Sequence, residues 1–414
     1  MKENNQVELQ INTEYEPLKT VIVHKPGKEI ERLTSSNKTK FLFEDLPFLQ
    51  QMQDEFKYFI DVLNKETDCK ILYLDDLLLD LVKDVEIRKK LVNEIVVTER
   101  CAGLVEYLMK LDDEALVETF FKGITSEEWG SYMGRKRAHL SSEFVLDPIP
   151  NAYFTRDPAA IIGKSIVSCK MHYGVRERES ILLSNIFKYH TYFKEKSTFC
   201  FGVNPDEERP FTVEGGDIIV INNHSVAIGW SQRTTPETIY KIAENLFSQY
   251  SDIERVYEVK IPSERAYMHL DTVCSIIGPG SIVVYPDVLS KDVVESSVYT
   301  STIFGNKRIP FLIAEGKIFT ECLEDELRML SDKVNFKIIQ TGGGDPETAR
   351  REQWGDATNV LAIAPDKVIT YDRNIKTNEA LDSRGINVKR IQSSQLVLGR
   401  GGPRCMTLPL QRKS

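Results

Sequence analysis

Near its C-terminus the chain reads Gly399-Arg400-Gly401-Gly402-Pro403-Arg404-Cys405. Three glycines in four positions let a backbone approach a ligand closely or take positive φ. The spacing and the missing Lys-Ser/Thr ending exclude a P-loop. Two arginines precede the cysteine, and positive charge lowers a thiol pKa and raises the thiolate fraction. Cys405 is therefore a candidate nucleophile; the alternative is a buried cysteine closing a terminal strand. A cysteine nucleophile needs a proton carrier, most often histidine. Of six histidines, His269 is the one inside a polar cluster, two residues before Asp271. Positions two apart on a strand share a face. A structural histidine is the alternative here, and a metal reading of His269, Asp271 and Cys274 lacks an H-x-x-x-H or a cysteine pair.

Carboxylates are the other chemically loaded group: Asp157, Glu214, Asp217 and Asp271 all stand in short polar clusters. Several carboxylates in one pocket repel unless a cation joins them. A guanidinium suits such a pocket, because it is planar and binds carboxylates bidentately. Paired carboxylates flanking a cysteine fit attack at the central carbon of a guanidinium. Arg156, Arg176 and Arg233 can then hold an α-carboxylate at the far end, or simply balance the acidic residues.

The elements that must position these groups follow a repeated plan. A polar cluster precedes a short apolar strand, a tight turn and a second strand. Residues 151–157 (NAYFTRD) precede AAII and SIVSC, 214–217 (EGGD) precede IIVI and SVAIGW, 269–271 (HLD) precede TVCSII and SIVVY, and 353–359 (QWGDATN) precede VLAIA and KVITY. Units arranged about an axis would bring the four clusters to one end of it. Turn residues without common purpose are the alternative. Upstream, Leu18 to Val23 and Ile71 to Leu74 read as strands. Residues 44–64 read as an amphipathic helix with Pro47 near its start. From Asp75 to about Leu146 leucine, glutamate and lysine recur at helical spacing, which predicts a helical subdomain inserted into a strand-rich body. The run Arg135-Lys136-Arg137 reads as a solvated face.

Composition bounds the rest. The chain has 414 residues, 41% hydrophobic and 28% charged, with formal net charge −9. That excludes a mainly disordered chain and argues against nucleic-acid binding through bulk positive charge. It mildly favours a cationic small substrate. No membrane span and no secretory signal are predicted. Seven scattered cysteines without a C-x-x-C predict neither a disulfide framework nor a zinc ribbon, and place the chain in the cytoplasm.

The ordered set PNAYFTRDP, FTVEGGD, GWSQRT, MHLDTVCS, EQW and GRGGPRCM resembles the arginine deiminase family of the guanidine-modifying superfamily. The resemblance runs from about Glu14 to Pro409. It implies an α/β fold: a five-bladed pseudo-symmetric propeller of ββαβ units with an inserted helical bundle. The expected division is residues 1–74 and 148–414 for the catalytic body and 75–147 for the insert. The implied reaction is hydrolysis of L-arginine to citrulline and ammonia in arginine catabolism, through a cysteine thiouronium and without metal or organic cofactor. By resemblance Cys405 matches the nucleophile, His269 the general acid and base, and Glu214 its supporting carboxylate. Asp157 and Asp271 match the guanidinium clamp. Asn151, Arg176 and Arg233 match the residues holding the amino-acid end, Phe154 the aromatic beside the stem, and Arg400 the gating loop; Asp217 is expected behind them. A dimer or tetramer is the family's habit.

Departures are visible. The family reads close to QWNDGAN where this chain has QWGDATN, often has an acidic residue at Gln395, and has a more polar pair at Val397-Leu398. Other readings are an agmatine deiminase, an amidinotransferase, or a catalytically silent binding or adhesion protein on the same scaffold. Arg176 and Arg233 favour a substrate with a carboxylate, which agmatine lacks.

Overall fold

The β-branched run Leu18–Val23 is a strand, and the C-terminal Leu408–Arg412 pairs with it antiparallel. The computed structural model describes residues 7–134, 142–194, 197–202, 211–289, 296–304, 307–314, 317–330 and 335–413. Arg135-Lys136-Arg137 falls outside them. Next to Leu18–Val23 lies Lys70–Tyr73, parallel to it, and the helix Leu49–Glu66 makes the connection. The predicted helix at 44–64 starts later than expected. Pro47 precedes it, Leu46 is 43% exposed, and Met52, Phe56, Phe59 and Leu63 form the buried face.

Four further sheets repeat this plan of an antiparallel pair, a helix and a parallel strand, with the pair formed there by a hairpin. Ala159–Ile162 and Ser165–Ser168 are followed by the helix Glu177–Tyr189 and by Thr198–Phe201. Ile218–Asn222 and Ser225–Trp230 are followed by Pro236–Gln249 and Arg255–Lys260. The strands Ser296–Phe304 and Lys307–Ala314 extend that sheet. Cys274–Gly278 and Ser281–Val284 are followed by Phe319–Leu330 and Lys337–Gln340. Leu361–Ala364 and Lys367–Tyr371 are followed by Ile375–Ser383 and Asn387–Ile391. The hairpin strands are buried along nearly their whole length, which is why they read as continuous apolar runs rather than alternating ones. Each predicted polar cluster does open a hairpin, usually as a single 3-10 turn, as at Pro150–Tyr153, Gly215–Asp217 and Leu270–Thr272.

Residues 74–132 carry the predicted helices: Leu74–Val82, Val85–Thr98, Val105–Lys110, Asp113–Lys122 and Ser126–Tyr132. Three of these starts are capped by side chains. Asp84 accepts from Glu86 N and Ile87 N, Asp112 from Ala115 N, and Thr125 forms a capping box with Glu128. A short strand pair, Ile124–Thr125 with Phe144–Leu146, was not legible among so many helix formers. The apolar faces of these helices do not close on themselves. Leu78, Leu91 and Phe120 belong to the same core as Ile161, Ile186 and Val220 of the sheet-bearing body.

His24 is the polar tie between the two. It is buried at the end of Leu18–Val23, stacks on Phe121 at 4.2 Å, and meets Asp75 Oδ1 at 2.6 Å and Glu29 Oε1 at 3.3 Å. Burial alone would lower its pKa, but the two carboxylates overcome this and raise it to about 10. A group raised above its unfolded value stabilises fully below that value and loses the contribution as pH climbs to the folded one. The unfolding free-energy gap between wild type and His24→Gln should therefore be widest below pH 6.5. It should then narrow by about 1.4 kcal/mol per pH unit toward pH 10. Urea titrations at several pH values measure it, and a gap that does not narrow contradicts the charged pairing.

Candidate active site

Cys405 sits in the loop between the 3-10 turn Leu396–Gly399 and the strand Leu408–Arg412. Two backbone donors of this loop, Gly402 N and Cys405 N, meet Asn359 Oδ1 at 3.1 and 3.0 Å. Its carbonyl accepts from Arg156 N at 3.1 Å. The neighbourhood differs from what the sequence suggests. Burial, with the carboxylates of Asp271, Asp157 and Asp356, pushes the thiol well above its usual range. The two preceding arginines do not prevent this. Arg404 is spent on Asp271 Oδ2 at 2.7 Å, on Glu14 at 3.3 Å and on the Ile218 carbonyl at 2.7 Å. Arg400 lies over the Trp354 ring at 3.5 Å. The protein by itself thus holds Cys405 as a neutral thiol, 3.6 Å from Asp271 Oδ2.

His269 stands on the turn before Cys274–Gly278, and its Nε2 is 2.8 Å from Glu214 Oε2. Its Nδ1 is 3.9 Å from Asp157 Oδ1. Burial would lower its pKa, yet Asp157, Glu214 and Asp217 together raise it to about 9, so the ring is an imidazolium at neutral pH. Only glycine fits at 216, where a Cβ would lie 2.6 Å from the imidazole. Asp217 does not enter the site. It accepts from Ser231 Oγ, Thr234 Oγ1 and Leu270 N at 2.7, 2.6 and 2.9 Å and so fixes the backbone beside His269. Glu214 is held well below the usual carboxylate range: burial would raise it, but Arg233, His269 and Arg176 outweigh that.

Asp157 and Asp271 are both buried, and each keeps one oxygen, Oδ1, without a hydrogen-bond partner. Their other oxygens are held by Arg176 at 2.8 Å and Arg404 at 2.7 Å. The geometry is that of two fixed acceptors beside a thiol. Arg176 also forks onto Glu179, and Arg233 pairs with Glu214 at 2.9 Å beneath the Tyr173 ring. Both arginines are thus ion-paired with carboxylates of the site. Asn151 Nδ2 donates to the Phe41 carbonyl at 2.8 Å. The Phe154 ring lies tilted against that of Tyr153, with centroids 3.9 Å apart, and a Cβ at Gly401 would lie 2.3 Å from the Phe154 ring. That contact is the reason the loop needs glycine there.

Asp157, Glu214 and His269 present ligand-type atoms within 4.8 Å of one another. A divalent cation does not suit them. An imidazolium has no free lone pair, and Arg176 and Arg233 already neutralise the two carboxylates.

A family model of arginine deiminase matches residues 39–412. The arginine deiminase of Listeria monocytogenes serotype 4b (strain CLIP80459) is 35% identical over 417 residues, covering 98% of each chain. The chain belongs to the arginine deiminase family. Arginine deiminase 1 of Staphylococcus epidermidis is 36% identical over 419 residues, again 98% of each chain. Among solved structures, an amidinotransferase from Microseira wollei aligns with TM-score 0.57 at 15% identity over 98% of both chains. A DDAH of Pseudomonas aeruginosa complexed with citrulline aligns with TM-score 0.53 at 15% identity, over 95% of this chain and 99% of that one. These structural likenesses show the mixed α/β, propeller-like fold. No described helix is long and apolar enough to cross a membrane.

The structure brings Cys405, His269, Glu214, Asp157 and Asp271 together, with Arg176 and Arg233 against Glu214. Arg156 turns the other way, toward Glu14, Arg404 and Arg412, and burial with the Arg404 charge lowers its pKa to about 9. Three positioning roles were missed in the sequence reading: Arg404, read only as a neighbour lowering the thiol pKa, holds Asp271; Glu179 holds Arg176; and Asn359 holds the nucleophile loop. Asn359 had a signal. It stands two residues before Leu361–Ala364, as Asp157 stands two before Ala159–Ile162. The altered Gln395 accepts Phe48 N at 2.8 Å and so ties the loop to the helix Leu49–Glu66.

Proposed function

We propose that this chain carries out the family reaction, hydrolysis of L-arginine to citrulline and ammonia, with Cys405 as nucleophile. One observation carries the reading: two buried carboxylates, each with an unpartnered oxygen, flank a thiol beside an imidazolium. A guanidinium supplies the missing donors and the missing positive charge. Asp157 and Asp271 fix its plane so that Sγ faces the central carbon. Its charge offsets the carboxylates that keep the thiol neutral, so the thiolate forms when substrate enters and its proton passes to water. Attack forms the C–S bond and a tetrahedral adduct. His269, already protonated, donates to the departing nitrogen; the C–N bond breaks, and ammonia leaves. The neutral His269 then takes a proton from water, whose oxygen adds to the thiouronium carbon. The C–S bond breaks as the carbonyl forms, the adduct's hydroxyl proton passes to the departing sulfur to restore the neutral thiol, and citrulline is released. Glu214 keeps the imidazole oriented and charged.

Phe154 flanks the aliphatic stem. Asn151, Arg176, Arg233 and Arg400 serve the amino-acid end, with Arg400 on the loop closing over it. The five sheets act as blades about the site axis, and residues 75–147 form the helical insert between the first two. An antiparallel pair, a helix and a parallel strand in all five sheets, with the chain ends supplying the antiparallel pair in the first, support this.

Purified protein given L-arginine should release citrulline and ammonia in equal amounts, and agmatine should be a far poorer substrate. Folded protein that releases neither product from L-arginine would remove the reading. Agmatine turned over as well as L-arginine would remove the role of the arginines.

A further inference from the structure

The proposed site provides arginines for an α-carboxylate but, so far, no anion for an α-ammonium group. Its buried carboxylates are committed elsewhere. Asp157 and Asp271 flank the thiol, Glu214 serves His269 and Arg233, and Glu179 serves Arg176. Asp217 is spent on two hydroxyls and a backbone amide, and Glu14 on Arg404.

Asp356 is the exception. It is buried, and among the described residues it is the one carboxylate with both oxygens inaccessible and without a hydrogen-bond partner. Its backbone has φ +57°, the left-handed region that few residues other than glycine take. Such strain is kept where the surroundings impose it and clusters at functional sites. The surroundings here are the site itself. The Asp356 carbonyl accepts Asn359 N at 3.0 Å, and Asn359 holds Cys405 and Gly402. Facing the same space is Arg400, buried, with φ +66°. Its Nη1 donates to the Trp354 carbonyl at 2.9 Å, while Nε and Nη2 have no partner. Burial pushes the Asp356 carboxyl up to about 7, with Asp271 adding to the shift and Arg400 opposing it, as expected of a carboxylate awaiting a cation. The two side chains do not bond each other, although opposite charge would favour it. Unpartnered anion and unpartnered guanidinium donors side by side match an α-amino acid.

We propose that Asp356 is a specificity-determining residue that receives the α-ammonium group of the substrate, beside Arg400 at the carboxylate end. This rests on the reading of the site as arginine-hydrolysing. An ammonium ion supplies the donors that both Asp356 oxygens lack. A substrate without it leaves the carboxylate buried and unpaired, which is a strong basis for rejection.

The test compares L-arginine with δ-guanidinovalerate, which lacks only the α-amino group, in wild type, Asp356→Asn and Asp356→Glu. Wild-type turnover of L-arginine, measured first, checks the underlying reading. The wild type should prefer L-arginine by ~100-fold or more in kcat/KM. In Asp356→Asn the L-arginine value should fall ~100-fold, while δ-guanidinovalerate changes by no more than about threefold. Asp356→Glu should restore part of the preference. Equal losses on both substrates would mean that Asp356 only shapes the turn, and unchanged values on both would mean that it binds nothing. Either overturns the proposal with the reaction intact. Should Asp356→Asn fail to fold, a wild-type preference below about threefold overturns it equally.

Discussion

Cys405→Ala turns over L-arginine at least ~10⁵-fold more slowly than the wild type and still binds it. The reaction has no other route in this site. Every step after binding runs through an adduct bonded to Sγ, and the neighbours of that sulfur are carboxylates and a protonated imidazole, none of them a competent nucleophile at carbon. Binding survives because the acceptors for the guanidinium are the Oδ1 atoms of Asp157 and Asp271, which the substitution leaves in place. Asn359 continues to hold the loop through backbone donors that alanine retains. Cys405→Ser should be nearly as inactive, because a hydroxyl beside three carboxylates is harder to ionise than a thiol. Citrulline release and equilibrium binding of L-arginine measure the two halves. Turnover within ~100-fold of wild type in either variant would contradict the assignment.

Asp271→Asn should lower kcat/KM by ~10³-fold, with loss in both kcat and KM. The amide keeps the shape but removes one of two charges that hold the guanidinium plane against Sγ. The substrate then loses a charge-assisted contact in a buried site and the orientation that contact imposes. A second effect is specific to this chain. Arg404 depends on Asp271 at 2.7 Å, and in the variant only Glu14 and the Ile218 carbonyl hold it. Leaving a buried cation half-paired also destabilises the fold, so the melting temperature should fall together with activity. Asp157→Asn is the comparison. It loses the same clamp but releases Arg176, which keeps its fork to Glu179. It should therefore lose similar activity with a smaller change in melting temperature. Saturation kinetics unchanged by Asp271→Asn would remove the clamp.

The legible part of this fold is the part whose residues are locally constrained. The β-branched run Leu18–Val23 and the apolar hairpins after each polar cluster could be read because buried strands need those residue types wherever they occur. The Leu, Glu and Lys texture after Asp75 signalled helices for the same reason. What could not be read depends on distant partners. The thiol environment is the clearest case. Two neighbouring arginines suggested a lowered pKa, but one of them is consumed by Glu14, 390 residues away in sequence, and by Asp271. Short-range charge was thus a poor guide to a site assembled from loops far apart in the chain. Asn359 was half-legible: its place two residues before Leu361–Ala364 marked the position, but its role comes from the contact with the distant Cys405 loop. The Pro47 region shows a local limit: periodicity ran through it, but the helix begins only at Leu49.

The central claim is a covalent intermediate on Cys405. Mixing the protein with L-arginine, quenching with acid within a turnover and digesting for mass spectrometry tests it directly. The peptide carrying Cys405 should gain the mass of arginine less ammonia, and the gain should vanish as substrate is exhausted. Citrulline production at full rate with no adduct on that peptide, or an adduct on a different residue, would contradict the account.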